Sequence, residues 1–429
     1  MFHWLKSVFA PQPLSEDEYQ QQRSKVLAAA PIPLFWLFGK TGSGKTSIVR
    51  YLTGAETAEI GNGFQPKTAT SRTYDFPSTE QPVLRFLDTR GVAEGTYDPR
   101  EDVRQFHETA HVMVVTVRLA DSALESVIGP LREFRKTQPL RPVLLALTCL
   151  HDLYPGRQHP DPDPFVAGND SDRILPDVRR AVAQQESRFA GLVDRVVPID
   201  LTRPEDGFLD AEFGGARLKQ TLLDLLPAAF RQTFLNLTRS MDAPLDLTER
   251  RAMPYVVAYS TLAATAAAVP TPWVDIPVVV AIQTHLVYLL HRLYGLEIDG
   301  AVLRRLAAAG SARMATALIV REALKFIPVV GVAANAASAY AYTYGLGVAC
   351  CWYFTQVRAG CAPTDDEIRK VWKEQLSIAA RSWKTGRSSG TSLIPEGRKS
   401  AGTASNDDDR MRTGNPHRSP DEESQGASP

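Results

Sequence analysis

From Leu34 to about Phe230, short apolar runs alternate with stretches of helical period. Leu34–Phe38, Val83–Leu87, Val112–Val117, Val143–Leu147 and Arg195–Ile199 read as strands, with helices opening near Thr46, Arg100, Ala123, Asp172 and Ala216. That alternation predicts a mostly parallel sheet with crossover helices, an α/β fold. After roughly Asp242 the chain turns to Ala, Val, Tyr and Leu with few acids, which predicts a second, all-α domain rich in helical hairpins.

Two segments of that second domain, Ala252 to Val274 and Phe326 to Val357, carry no charge and reach the roughly 18-residue length that raises a membrane-spanning reading. Pro254, Pro270 and Pro272 interrupt the first; the other is rich in Ala, Gly, Ser and Tyr and holds Asn335. Single spans would put the basic loop with Arg292, Arg304, Arg305, Arg313, Arg321 and Lys325 on the far side from the first domain, against the positive-inside rule. Hairpins folded back at Pro270–Pro277 and Pro328–Gly331 remove that conflict, either dipping into a membrane or packing as a bundle in water. The similar segments Ile276-Pro277-Val278-Val279 and Ile327-Pro328-Val329-Val330 suggest one helix–break–helix unit used twice. The organisation expected is an amphipathic segment over 1–30, the α/β domain over 31–235, the helical domain over 243–360, a charged helix over 364–384 and a disordered tail over 385–429.

Among 429 residues, 48 Lys and Arg balance 48 Asp and Glu, so global charge gives no reason to expect a nucleic-acid partner. The four cysteines, Cys149, Cys350, Cys351 and Cys361, show neither metal-ligand spacing nor a disulfide framework, which suits a reducing compartment. The start, Met1 to Ala10, is too short and too polar for a secretory signal. A basic cluster, Arg369, Lys370, Lys373, Arg381, Lys384 and Arg387, suits an anionic lipid surface or a solvated helix face equally.

The chemistry starts at Gly39-Lys40-Thr41-Gly42-Ser43-Gly44-Lys45-Thr46, a complete phosphate-loop pattern between a predicted strand and a helix opening at Ser47. Its glycines let backbone N–H groups face a triphosphate, Lys45 reaches the β- and γ-phosphates, and Thr46 supplies a hydroxyl for Mg²⁺. Asp88-Thr89-Arg90-Gly91 ends a strand downstream, with Asp88 placed to hold the metal through water and Gly91 to sense the γ-phosphate. Between them, Thr68 is the candidate hydroxyl that closes on metal and γ-phosphate, and Thr70 its competitor.

In this order of elements the stretch from Pro31 to Pro227 resembles the Era-like (TrmE–Era–EngA) GTPases. The resemblance implies GTP and Mg²⁺ as ligands and a nucleotide switch. It departs where the base is read: the usual Asn-Lys-x-Asp is replaced by Thr148-Cys149-Leu150-His151-Asp152, leaving Asp152 to accept from guanine and no lysine to pack on the base. A backbone N–H near Leu201, in Pro198-Ile199-Asp200-Leu201-Thr202, is the expected contact to the guanine carbonyl. Val92 stands where related enzymes place the glutamine that orients the attacking water, which implies slow hydrolysis completed by another side chain, an activating protein or a second copy. Arg90 is read as solvent-facing rather than as a charge donor.

The second domain resembles a bacterial domain of unknown function that follows Era-like GTPase domains and occurs in predicted inner-membrane proteins. The likeness rests on Ile276-Pro277, Ile282-Gln283, Leu293-Tyr294-Gly295, Ile327-Pro328-Val329-Val330-Gly331 and Tyr344-Gly345-Leu346-Gly347. Gln283, His285 and His291 read as packing or interfacial residues. The expectation is a GTP/GDP switch controlling a membrane-associated helical domain at the cytoplasmic face of the inner membrane, with a membrane surface or membrane protein as partner. The alternatives are a GTP-dependent scaffold with negligible turnover and an ATPase.

Overall fold

The computed structural model describes residues 16–56, 65–66, 71–89, 110–154, 158–166, 171–208, 210–243, 245–268, 275–296 and 330–378, apart from scattered positions after 361. Seven strands, β1 (Leu34–Gly39), β2 (Gln65–Pro66), β3 (Ser71–Phe76), β4 (Leu84–Thr89), β5 (Val112–Arg118), β6 (Val143–Thr148) and β7 (Arg195–Pro198), form one sheet in the order β2-β3-β4-β1-β5-β6-β7. From β4 to β7 every pairing is parallel, while β2 and β3 add an antiparallel edge. The parallel sheet is the expected one. The edge hairpin was not anticipated, although Arg72-Thr73-Tyr74-Asp75-Phe76 alternates polar with apolar and buries Tyr74 and Phe76.

Helices α2 (Lys45–Thr53), α3 (Glu125–Thr137), α4 (Pro176–Arg188) and α5 (Gly215–Leu225) cover the sheet, α1 (Glu16–Ala29) packs instead on the C-terminal helices, and α6 (Ala228–Asp242) leads out of the α/β part. β1 shows why two faces need covering. Trp36 and Phe38 point into one core with Met113, Val115, Leu145 and Phe134 of α3, whereas Phe35 and Leu37 point into the other with Ile48, Val49 and Leu52 of α2. Arg100, where a further helix was expected, lies outside the described residues.

The rest of the described chain is helical: α7 (Leu247–Ala268), α8 (Asp275–Leu293) and α9 (Val330–Arg358). Pro254 does not interrupt its apolar stretch as expected, because α7 runs through it without a break. The break expected over Pro270–Pro277 falls where α7 has ended at Ala268 and α8 opens at Asp275, and Pro277 sits in the first turn of α8, where its missing N–H costs no helical bond. Of the later similar segment only Val330, in α9, lies among the described residues. Close approach of α7 and α9 depends on Gly347, where a Cβ would meet the Val256 side chain at 2.7 Å. Gln283 Nε2 on α8 donates to Thr343 Oγ1 on α9 at 3.1 Å, and His291 packs edge-on against Phe354, so the apolar helices meet one another through their polar residues as well.

The two parts share a core. Phe234 and Leu237 of α6 and Val257 and Ala258 of α7 join the cluster that α2 forms with β1, β4 and β5. No helix among the described residues is long and apolar enough to cross a membrane. Beyond α9, the Thr364 hydroxyl and N–H both donate to Glu367, a capping box that starts the charged helix, and the described positions from 366 to 378 are helical.

Candidate functional site

In a parallel sheet the strands end on one edge, and ligands bind there where neighbouring connections diverge. Here β1 runs into the phosphate loop and α2. Gly42 and Gly44 take left-handed φ values of 74° and 91°, conformations that residues with a Cβ rarely adopt. The loop rests on β5: Thr116 Oγ1 lies 2.6 Å from Ser43 Oγ, and a Cβ on Gly39 would come within 2.5 Å of the Thr116 carbonyl oxygen. Lys45 Nζ donates to the carbonyl oxygens of Gly39 and Lys40 at 2.9 and 3.0 Å, holding the ammonium over the loop. Thr41 and Thr46 are exposed and Ser43 is buried, and Ser47 lies in the first turn of α2, whose N-terminal dipole favours an anion.

Asp88, next to last in β4, is paired in register with Leu37, two residues before the loop begins. The register therefore sets Asp88 beside the strand that leads into the loop and Thr46. These are hard oxygen donors of the kind Mg²⁺ takes, one carboxylate and one hydroxyl completed by phosphate oxygens and water. Among the described residues no group of three or more His, Cys, Asp or Glu side chains gathers to hold a metal by itself. Thr68, Thr70, Arg90, Gly91 and Val92 lie outside the described residues.

The segments expected to read the base follow β6 and β7, beside the end of β5. Thr148 closes β6, and its hydroxyl is 2.9 Å from the Ser43 carbonyl oxygen, tying this segment to the phosphate loop. Cys149 then takes a left-handed φ of 56° and Leu150–Leu153 forms one 3₁₀ turn. Leu150, near the place of the absent lysine, is fully buried, while Asp152 is exposed. Arg118, at the end of β5, donates from Nη2 to Asp152 Oδ2 at 2.8 Å. Partial burial pushes the Cys149 thiol up, which favours its protonated form. The Leu201 carbonyl oxygen accepts from Arg50 Nη2 at 2.9 Å, so α2 also carries the segment expected to meet the guanine carbonyl.

A second ion pair borders the loop, Lys40 Nζ to Asp121 Oδ2 at 2.8 Å. Desolvation pushes the Asp121 carboxyl up, but hydrogen bonds from Lys40 and the Ala123 N–H outweigh it and hold it below the usual range. Thr116, Arg118, Asp121 and Asp200 were not singled out from the sequence. The signal available for them was position, since each lies at or just beyond the carboxyl end of a predicted strand.

Residues 35–148 match the family described as 50S ribosome-binding GTPase, and residues 238–381 match the domain of unknown function DUF697. The chain is thus a P-loop GTPase-family domain joined to a DUF697 domain. No curated protein matches it in sequence. Among solved structures it is similar to a crystal structure of a mutation variant of SsGBP, with 16% identity over 54% of this chain and 67% of that one. The TM-score is 0.25, and a likeness at that level carries no argument.

Proposed function

We propose that the chain binds Mg²⁺–GTP and hydrolyses it slowly, and that its nucleotide state is read by the DUF697 helices. The observation that carries this reading is the shared core, in which α2, the helix that holds Lys45 and Thr46, packs in one cluster with Phe234, Leu237, Val257 and Ala258. A second link runs through α1. Its Val26 joins the helical core, and its Arg23 donates to the Glu80 carbonyl oxygen at the turn between β3 and β4. That hairpin connects the segment bearing Thr68 to the segment bearing Asp88 and Gly91, so γ-phosphate contacts made there reach α1 through two hydrogen-bonded strands.

In this reading Lys45 and the loop N–H groups hold the phosphates, Thr46, Thr68 and Asp88 hold Mg²⁺, and Asp152 with the Leu201 N–H reads guanine. The bound ion supplies neutralising charge at the β- and γ-phosphates. Val92 cannot orient water, so turnover waits on another side chain, an activating protein or a second copy. Peripheral attachment to the cytoplasmic face of a membrane belongs to the same reading; it rests on the resemblance and the long uncharged runs, not on a spanning helix.

Equilibrium binding of labelled GTP, ATP and XTP to the native chain and to Asp152→Asn tests the base assignment. GTP preference that shifts toward XTP in the variant supports it, and equal binding of GTP and ATP by both chains overturns it. Single-turnover hydrolysis and liposome flotation, each in GTP and GDP, test the rest: no hydrolysis leaves the scaffold alternative, and flotation indifferent to nucleotide removes the membrane switch.

A further inference from the structure

We infer that Arg118 and Asp200 are positioning residues that make Asp152 a guanine reader, taking over from the asparagine and lysine this chain lacks; the inference rests on the GTP reading above. Guanine offers two donors side by side, N1–H and the 2-amino group. A carboxylate selects it only when both oxygens are held in the base plane, because a freely rotating aspartate loses that advantage to rotamer entropy.

The turn that carries Asp152 has little rigidity of its own. It is four residues long, held by backbone bonds of 3.1 Å (Asp152 N–H to Cys149) and 3.3 Å (Tyr154 N–H to His151). Its stiffness comes from outside. Asp200, 2% exposed and just beyond β7, accepts the His151 backbone N–H at 2.8 Å, and both its oxygens lie within 2.9 Å of His151 Nδ1. On its other side it meets His159 Nε2 at 2.9 Å, and the His159 ring is stacked on Phe213 with centroids 4.4 Å apart. A buried carboxylate is costly to desolvate, and the contacts of this one fix the residue adjacent to Asp152. Asp200 also immediately precedes Leu201, so one side chain joins the two base-reading segments.

Arg118 acts on Asp152 itself. Its hydrogen bond to Oδ2 occupies one lone pair, which leaves both carboxylate oxygens able to accept from the base. Its side chain is 48% exposed, so beside Asp152 it offers the cation that buried Leu150 cannot supply.

The test is competitive binding of GTP, ITP (which lacks the 2-amino group) and ATP to the full chain with Mg²⁺, using a fluorescent GTP analogue as probe. Arg118→Ala is expected to weaken GTP about tenfold, the size of one charge-assisted hydrogen bond, and ITP less, so that the GTP-to-ITP ratio falls. Arg118→Lys should restore part of that ratio, and the thermal midpoint of both should stay at the native value. Asp200→Asn should lower the same ratio together with the midpoint. A GTP-to-ITP ratio unchanged in Arg118→Ala and Asp200→Asn overturns the inference while leaving GTP binding intact. A native chain that does not prefer GTP to ATP overturns instead the reading on which it rests.

Discussion

The Thr148 hydroxyl donates to the Ser43 carbonyl oxygen at 2.9 Å, joining the end of β6 to the phosphate loop across 105 residues of sequence. Both residues are buried, so the bond is shielded from water. Thr148→Val keeps the shape and removes the donor. It should destabilise the domain by about 1 kcal/mol and weaken nucleotide binding severalfold, read by thermal unfolding and by titration with labelled GTP. Native affinity in a variant with a lowered midpoint would show that the bond serves stability alone.

Gly44 adjoins the same threonine. Its φ is 91°, and a Cβ there would lie 3.1 Å from Thr148 Cγ2. Gly44→Ala therefore combines backbone strain with a tight contact, for a cost of about 1–3 kcal/mol. Because the strain falls on the loop that wraps the phosphates, GTP and GDP affinity should drop by more than stability does; calorimetric titration beside thermal unfolding compares the two.

Lys45→Ala removes the cation that the loop carbonyls hold in place. Its removal from a phosphate site is expected to lower affinity for GTP at least about a hundredfold, since charge-assisted bonds to phosphate contribute about 1.5–3 kcal/mol each. Circular dichroism should match the native chain, because the side chain packs into neither core.

Asp121 gives a pH dependence with a defined sign. Its carboxyl is held below the ordinary range in the folded chain, so the Lys40 pair contributes stability that is complete above the ordinary aspartate value, about 3.9, and is lost as pH falls through the depressed folded value. Both side chains are partly exposed, so the effect is small and weakened by salt. Lys40→Met should let the Asp121 carboxyl titrate at higher pH, visible by carboxyl-resolved NMR; an unmoved titration would assign the depression to the Ala123 N–H.

Between α7 and α9 the prediction is steric. Gly347→Leu would drive a side chain into Val256, 2.7 Å from even a Cβ, and overpacking of this kind costs typically about 1–3 kcal/mol. Since α7 also reaches the core around α2, nucleotide affinity should fall along with the thermal midpoint. Independence of the two would argue against coupling through that core.

Much of the α/β part was legible because its signals are local. Strands buried on both faces show as apolar runs, and the glycine spacing of the phosphate loop records a backbone conformation directly. The β2–β3 edge was harder to read, because β2 spans only two residues and β3 alternates weakly over six. The interruption expected at Pro254 was misplaced for a related reason. Proline marks a missing donor and a fixed φ, but whether a helix ends, starts or continues there depends on the packing around it.

The amino-acid order by itself determined the phosphate loop, the parallel sheet and the two-part composition, since each depends on residue types at short, fixed spacings. Only the tertiary structure decided what stands around Asp152. Arg118, Thr148, His151 and Asp200 come from the ends of three strands and the segments beyond them, and nothing in their spacing pairs them. Tertiary structure likewise decided that α6 and α7 complete the core behind α2, because apolar helices seek burial without specifying a partner, and the choice between bilayer, bundle and neighbouring domain is made by the surface that fits.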